Sequence, residues 1–154
     1  MKKLLIAGFL IAGALTITGC STNSNNITID EVRTSQTDWG RGLTDISWAY
    51  RNGYDFEAVA SDVFNSLYGH DYDYVLFNGM ENPLKNSTGL DYISVLFEEG
   101  MLITNGNQAL WTGRVHMANS AGEVTTVEKT FGYFRDTNGD LRINLQHSSL
   151  PFND

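Results

Sequence analysis

The sequence predicts an α+β domain, a curved antiparallel sheet wrapped around helices that precede it in the chain. Three observations predict it. Between residues 28 and 68 the apolar residues recur with a helical period. From Met101 onward the period falls to two, over segments 101–104, 108–118, 123–135 and 141–149. Those segments are parted by Asn105-Gly106, Ser120-Ala121-Gly122 and Asp136-Thr137-Asn138-Gly139-Asp140, all turn-forming. Helices followed by hairpin-linked strands give α+β rather than alternating α/β. With 154 residues, 42% of them hydrophobic, the chain has material for one packed core.

The elements follow in order. Thr28-Ile29-Asp30-Glu31 fits a capping box, with Ile27 and Val32 spaced for a hydrophobic staple. Trp39, Leu43, Ile46 and Tyr50 then form one helical face, and Gly53 can close the helix in the left-handed conformation. Gly40 and Gly42 within it point to close packing or a bend. A second helix is predicted from Asp55 to Tyr68, with Val59, Val63 and Leu67 on its buried side. A third is predicted from about Thr88 to Gly100, on the stripe Leu90, Ile93, Leu96 and Phe97. Tyr74–Phe77 reads as a short extra strand. Trp39, Trp48 and Trp111 read as core or pocket wall. A sheet bent around helices leaves a pocket wherever the helices do not fill its concave face.

The segment before Ile27 is not part of that fold. Met1-Lys2-Lys3 is a basic start, and Leu4–Ile17 is an apolar run too short to cross a bilayer core of about 30 Å. It ends in Leu15-Thr16-Ile17-Thr18-Gly19-Cys20, which resembles the processing site of bacterial lipoprotein signals, and Cys20 is the chain's one cysteine. The resemblance implies a signal peptide over 1–19, a lipidated Cys20 with a polar tether over 20–26, and a domain over 27–154. Ser21 after the cysteine implies, by the same resemblance, an outer-membrane anchor facing the periplasm, or otherwise the cell surface.

Composition excludes several function classes. A net charge of −8 lacks the basic footprint that a nucleic-acid binder needs. With Cys20 as anchor there is no free thiol for nucleophilic chemistry. Three histidines, His70, His116 and His147, show no metal-ligand spacing. The 136–140 loop lacks the twelfth-position glutamate of a calcium loop and reads as a hairpin turn. No phosphate loop, dinucleotide fingerprint or nucleophile elbow occurs.

The last strand is the most suggestive. Alternation along Leu141-Arg142-Ile143-Asn144-Leu145-Gln146-His147 puts Leu141, Ile143, Leu145 and His147 on one face. That places an imidazole at the end of a core-facing row, with the hydroxyls of Ser148 and Ser149 beside it. Two readings follow: a small polar patch in an apolar pocket, or a structural histidine with serines ending the strand.

Thr130–Phe152, with its His147-Ser148-Ser149 motif, resembles the C-terminal hairpin of a group within the nuclear-transport-factor-2-like (SnoaL-like) superfamily. Its nearest named relatives are the iota-class carbonic anhydrases and the association domain of calcium/calmodulin-dependent kinase II. Leu67–Asp71, Val75–Phe77 and the helix around Trp39–Tyr50 resemble the same group, so the likeness spans roughly residues 28–152. It implies a cone-shaped α+β fold, a homodimer, and reversible hydration of carbon dioxide to bicarbonate. His147 and Ser149 match the group's terminal motif, with Ser148 between them. A pocket threonine and tyrosine of relatives are replaced here, at Asn78-Gly79-Met80 and at Val95 or Leu96, and Thr88 or Tyr92 would have to substitute. Gln146 interrupts a histidine run common in relatives. No cofactor is expected; zinc or manganese enters only by family analogy. In this reading His147 is the base that activates water, and Ser149 donates to the developing oxyanion. The alternative is a non-catalytic module of the same fold that binds a small ligand or dimerises.

Overall fold

The computed structural model describes residues 26–69 and 91–151. Cys20 with the signal segment, His70, Tyr74–Phe77, Met80 and Thr88 lie outside the described residues. The elements are α1 (Ile29–Arg51), α2 (Phe56–Leu67), β1 (Tyr92–Phe97), β2 (Met101–Asn105), β3 (Gln108–Asn119), β4 (Val124–Arg135) and β5 (Leu141–Ser149).

Local chemistry sets the helices. The Thr28 hydroxyl accepts the Glu31 N–H at 3.3 Å, and the Glu31 carboxylate accepts the Thr28 N–H at 2.9 Å, so two otherwise orphaned donors are satisfied. Ile27 and Val32 are both buried beneath this box. Trp39, Leu43 and Ile46 carry the buried face of α1. Tyr50 does not: it is 54% exposed and stands edge-on to Phe56. Trp48 is also corrected, being 53% exposed and stacked on Tyr54 at 5.1 Å. Asp55 caps α2 by accepting the Ala58 N–H at 3.0 Å.

Gly42 is where the two helices touch. A Cβ there would lie 2.5 Å from Val63 Cγ1, closer than carbon atoms can approach. Gly42→Ala is therefore expected to destabilise the domain by about 1–3 kcal/mol, despite alanine's better helix propensity. The check is a lower urea midpoint at unchanged slope; a parental midpoint would mean the helices separate freely.

The expected third helix is corrected. Tyr92-Ile93-Ser94-Val95-Leu96-Phe97 forms strand β1, antiparallel to β3. A β-branched and aromatic run suits a pleated surface, and pairing with β3 outweighs the helical spacing of Ile93, Leu96 and Phe97. The later strands form where the two-residue period predicts them. The sheet order is β1-β3-β4-β5, with β2 also on β3. β1 pairs with the Val115–Asn119 end of β3 and β2 with the Gln108–Thr112 end. The 136–140 loop is a side-chain-stapled turn: Asp136 Oδ1 accepts the N–H groups of Asn138 and Asp140, each at 2.9 Å.

One irregularity decides what the last strand presents. Ile143 pairs with Tyr133 and Leu145 with Gly132, so Asn144 is an extra residue outside the ladder. A bulge of one residue reverses the faces beyond it. Ile143, before the bulge, is fully buried; after it Gln146 and Ser148 fall opposite the buried Phe131 and Lys129.

Candidate functional site on the inner sheet face

Aromatic side chains line the space between α1 and the sheet. Trp39 meets Phe131 at 5.5 Å and Phe97 at 6.0 Å, both edge-to-face, and Phe97 meets Trp111 at 5.4 Å. Such pairs contribute beyond their buried area. They also fill much of the concave face that sequence reasoning left hollow.

A polar group stands beside this aromatic wall. The Trp39 indole N–H donates to the Tyr68 hydroxyl at 2.9 Å and to Gln146 Oε1 at 3.2 Å. The Tyr68 hydroxyl in turn donates to Gln146 Oε1. Burial pushes the Tyr68 phenol well above its ordinary value, so it remains a neutral donor. Next to them Lys129, only 5% exposed, donates from Nζ to Ser148 Oγ at 2.6 Å. Its ammonium lies 4.6 Å from the centre of the Trp39 ring and 5.8 Å from that of Phe131. Among the described residues no carboxylate pairs with it. Desolvation lowers its pKa from 10.5 to about 8. An amine so placed is an ammonium at neutral pH and reaches equal amounts of its charged and neutral forms near pH 8.

The cross-strand register explains the cluster. Lys129 lies opposite Ser148 and Phe131 opposite Gln146, on the same face as buried Phe131 and Tyr133. His147 lies opposite Thr130, and Ser149 opposite Glu128. That register turns both to the outer face, and both are exposed, as is Ser148 between them. The expected core-facing row of Leu141, Ile143, Leu145 and His147 is thus corrected: the bulge at Asn144 turns His147 and Ser149 to the outer face and Gln146 and Ser148 to the inner one, where Gln146 is half-buried and Ser148 stands at the exposed rim. Tyr92 pairs with Asn119 at the far end of β3 and is not brought to the cluster. Leu96 is 64% exposed, opposite His116 on the outer face.

Sequence reasoning missed Lys129 and Gln146 as inward groups. For Lys129 the signal was present. The alternation that buries Phe131 and Tyr133 also buries position 129. The bulge that selects Gln146 leaves no glycine or proline in β5 to announce it.

The remaining polar constellations are elsewhere. His116 is held by Thr126 at Nδ1 (2.8 Å) and Glu98 at Nε2 (2.7 Å) on the outer face. Among the described residues no group of three or more His, Cys, Asp or Glu could hold a metal ion. A groove of about 770 Å³ between α1 and β1 is lined by Arg33, Gln36, Arg41, Val95 and Leu96. Its charged residues are exposed at the rim, so it lacks the desolvated ionisable group found at Lys129.

Comparison with known proteins agrees with this architecture. The family model for metal-independent carbonic anhydrase matches residues 30–86 and 88–150. A metal-independent carbonic anhydrase from Nostoc sp. (strain PCC 7120) is 29% identical over 153 residues, covering 82% of this chain and 75% of that protein. The crystal structure of a cyanobacterial iota-carbonic anhydrase complexed with bicarbonate superposes with a TM-score of 0.74 at 26% identity, over 85% of this chain and 96% of that one. The helices followed by an antiparallel sheet, the aromatic interior and the matched span agree: the chain belongs to the metal-independent carbonic anhydrase family.

Proposed function

We propose that the chain interconverts carbon dioxide and bicarbonate at the inner-face cluster of Lys129, Ser148, Gln146, Tyr68 and Trp39. The observation that carries the reading is a buried ammonium with no carboxylate partner among the described residues, held by the Ser148 hydroxyl at the edge of an aromatic wall. A buried charge needs a counter-charge, and bicarbonate supplies one. Carbon dioxide is apolar and suits the rings of Trp39 and Phe131.

The chemistry follows from the protonation state of Lys129. Hydration without a metal needs a base to take the proton of water as its oxygen attacks carbon. Neutral Lys129 Nζ accepts that proton, the C–O bond forms, and a C=O electron pair moves onto oxygen. The product pair is ammonium and bicarbonate, side by side. Donors at the Ser148 hydroxyl and the Gln146 amide stabilise the developing charge at the rim of the aromatic wall. The proton then leaves to solvent with the product. The test is hydratase activity, with Lys129→Gln and Ser148→Ala as losses.

A second reading is favoured by Gln146, which cannot titrate and occupies the inward position that a catalytic imidazole would need. On that reading the cluster binds bicarbonate or a similar small anion without turning it over. Bicarbonate binding in a chain with no hydratase activity distinguishes it.

Two further features belong to this proposal. The outer sheet face exposes Leu96, Met101, Ile103 and Leu110, at 64%, 60%, 54% and 39%. An apolar row of this kind suits a second copy of the chain. Ile103→Asp should convert a dimer to monomers in light scattering; an unchanged mass would remove this face as the interface. The lipoprotein-like ending at Cys20 supports anchoring by acyl chains, on the periplasmic side of an outer membrane or at the cell surface. Cys20→Ser should release the chain from the membrane fraction, and retention there would contradict the anchor.

A further inference from the structure

We propose that Lys129 is also a carbon dioxide modification site, its amine adding carbon dioxide directly to form a carbamate. The inference rests on the reading that carbon dioxide reaches the inner-face cluster, and goes beyond it by assigning a covalent product. Lys129 is almost wholly buried, has no carboxylate partner among the described residues, and lies 2.6 Å from Ser148 Oγ. Among the described residues the groups facing it are the Trp39 and Phe131 rings and the Ser148 hydroxyl, with the neutral Gln146 and Tyr68 next to them. None is an anion that would hold the amine protonated, and desolvation favours its neutral form.

The step balances. The Nζ lone pair attacks the carbon of carbon dioxide and an N–C bond forms. One C=O electron pair moves onto oxygen, and the nitrogen loses a proton to water or bicarbonate. The carbamate is an anion, and the Ser148 hydroxyl is close enough to Nζ to donate to it. The consequence is regulatory. The cation that would hold bicarbonate becomes a negative charge, so high carbon dioxide weakens bicarbonate binding at its own site.

Beyond residue 26 the chain carries two lysines, Lys85 and Lys129, which makes the modification simple to locate. The intact chain is incubated with ¹³C-labelled carbon dioxide and bicarbonate at pH 8. Carbamates are trapped with triethyloxonium and mapped by peptide mass spectrometry, with ¹³C NMR of the untrapped sample in parallel. The expected result is an ethyl carbamate on the Lys129 peptide, increasing with carbon dioxide and absent from folded Lys129→Arg. Trapping that is abolished by unfolding the parent supports the proposal. No adduct at Lys129, or equal labelling of Lys85 and Lys129, overturns it. Hydratase activity without a Lys129 adduct refutes the carbamate and leaves the proposed function standing. A Lys129 adduct without hydratase activity refutes turnover and leaves the carbamate standing.

Discussion

Lys129→Met is expected to raise the stability of the domain by about 2–3 kcal/mol at pH 7, with the gain shrinking as the pH rises. The folded chain holds this amine at a pKa of about 8, against 10.5 in an exposed lysine. Between those values the unfolded chain binds a proton that the folded chain does not, so stability rises with pH across the interval. Below pH 8 the whole cost of burying the ammonium is felt; above 10.5 both states are neutral and the cost is gone. Methionine has a similar reach and no charge to desolvate, so it removes the penalty while keeping contact with Trp39. The favourable ammonium–ring interaction at 4.6 Å is lost with it, which keeps the gain below the full linkage value. Urea unfolding of parent and variant at pH 7 and pH 10 checks this: two curves far apart at pH 7 should converge at pH 10. A constant gap would mean that the amine is not desolvated in the folded chain.

Loss of the Lys129 amine, by methionine or by glutamine, should be costly for activity. Losing a positioned base removes roughly 10²–10⁴-fold in rate, so Lys129→Gln should leave little carbon dioxide hydration above background. Ser148→Ala, which removes one donor to the developing oxyanion, should cost up to about 10²–10³-fold. In the parent the rate should climb with pH through about 8, as the amine loses its proton. A more stable and less active Lys129→Met chain would place this residue among groups kept for function at the expense of stability. Stopped-flow assays with a pH indicator measure all of these rates.

The course of the fold was legible where one signal was strong. Thr28, Glu31, Ile27 and Val32 announced the start of α1, and the alternation of β3 to β5 announced the hairpins. The segment 92–97 was misread because Ile93, Leu96 and Phe97 fit a helical spacing by chance, and its strand partner is β3, remote in sequence. At the site the motif was legible but its facing was not. Strict alternation from Ile143 carries His147 inward, and the bulge at Asn144 reverses it. Nothing local to β5 encodes that insertion; it arises from pairing with β4 around Gly132. Lys129, by contrast, was open to the same alternation that identifies Phe131 and Tyr133, but a charged residue is seldom assigned to a core without a partner.

Comparing His147→Ala with Lys129→Gln for carbon dioxide hydration is the most direct check on where the chemistry happens. With the reacting groups on the inner face, the His147→Ala chain keeps a rate close to the parent's and Lys129→Gln does not. Loss of activity in His147→Ala with full activity in Lys129→Gln, both folded, would contradict the account and return the chemistry to the outer face.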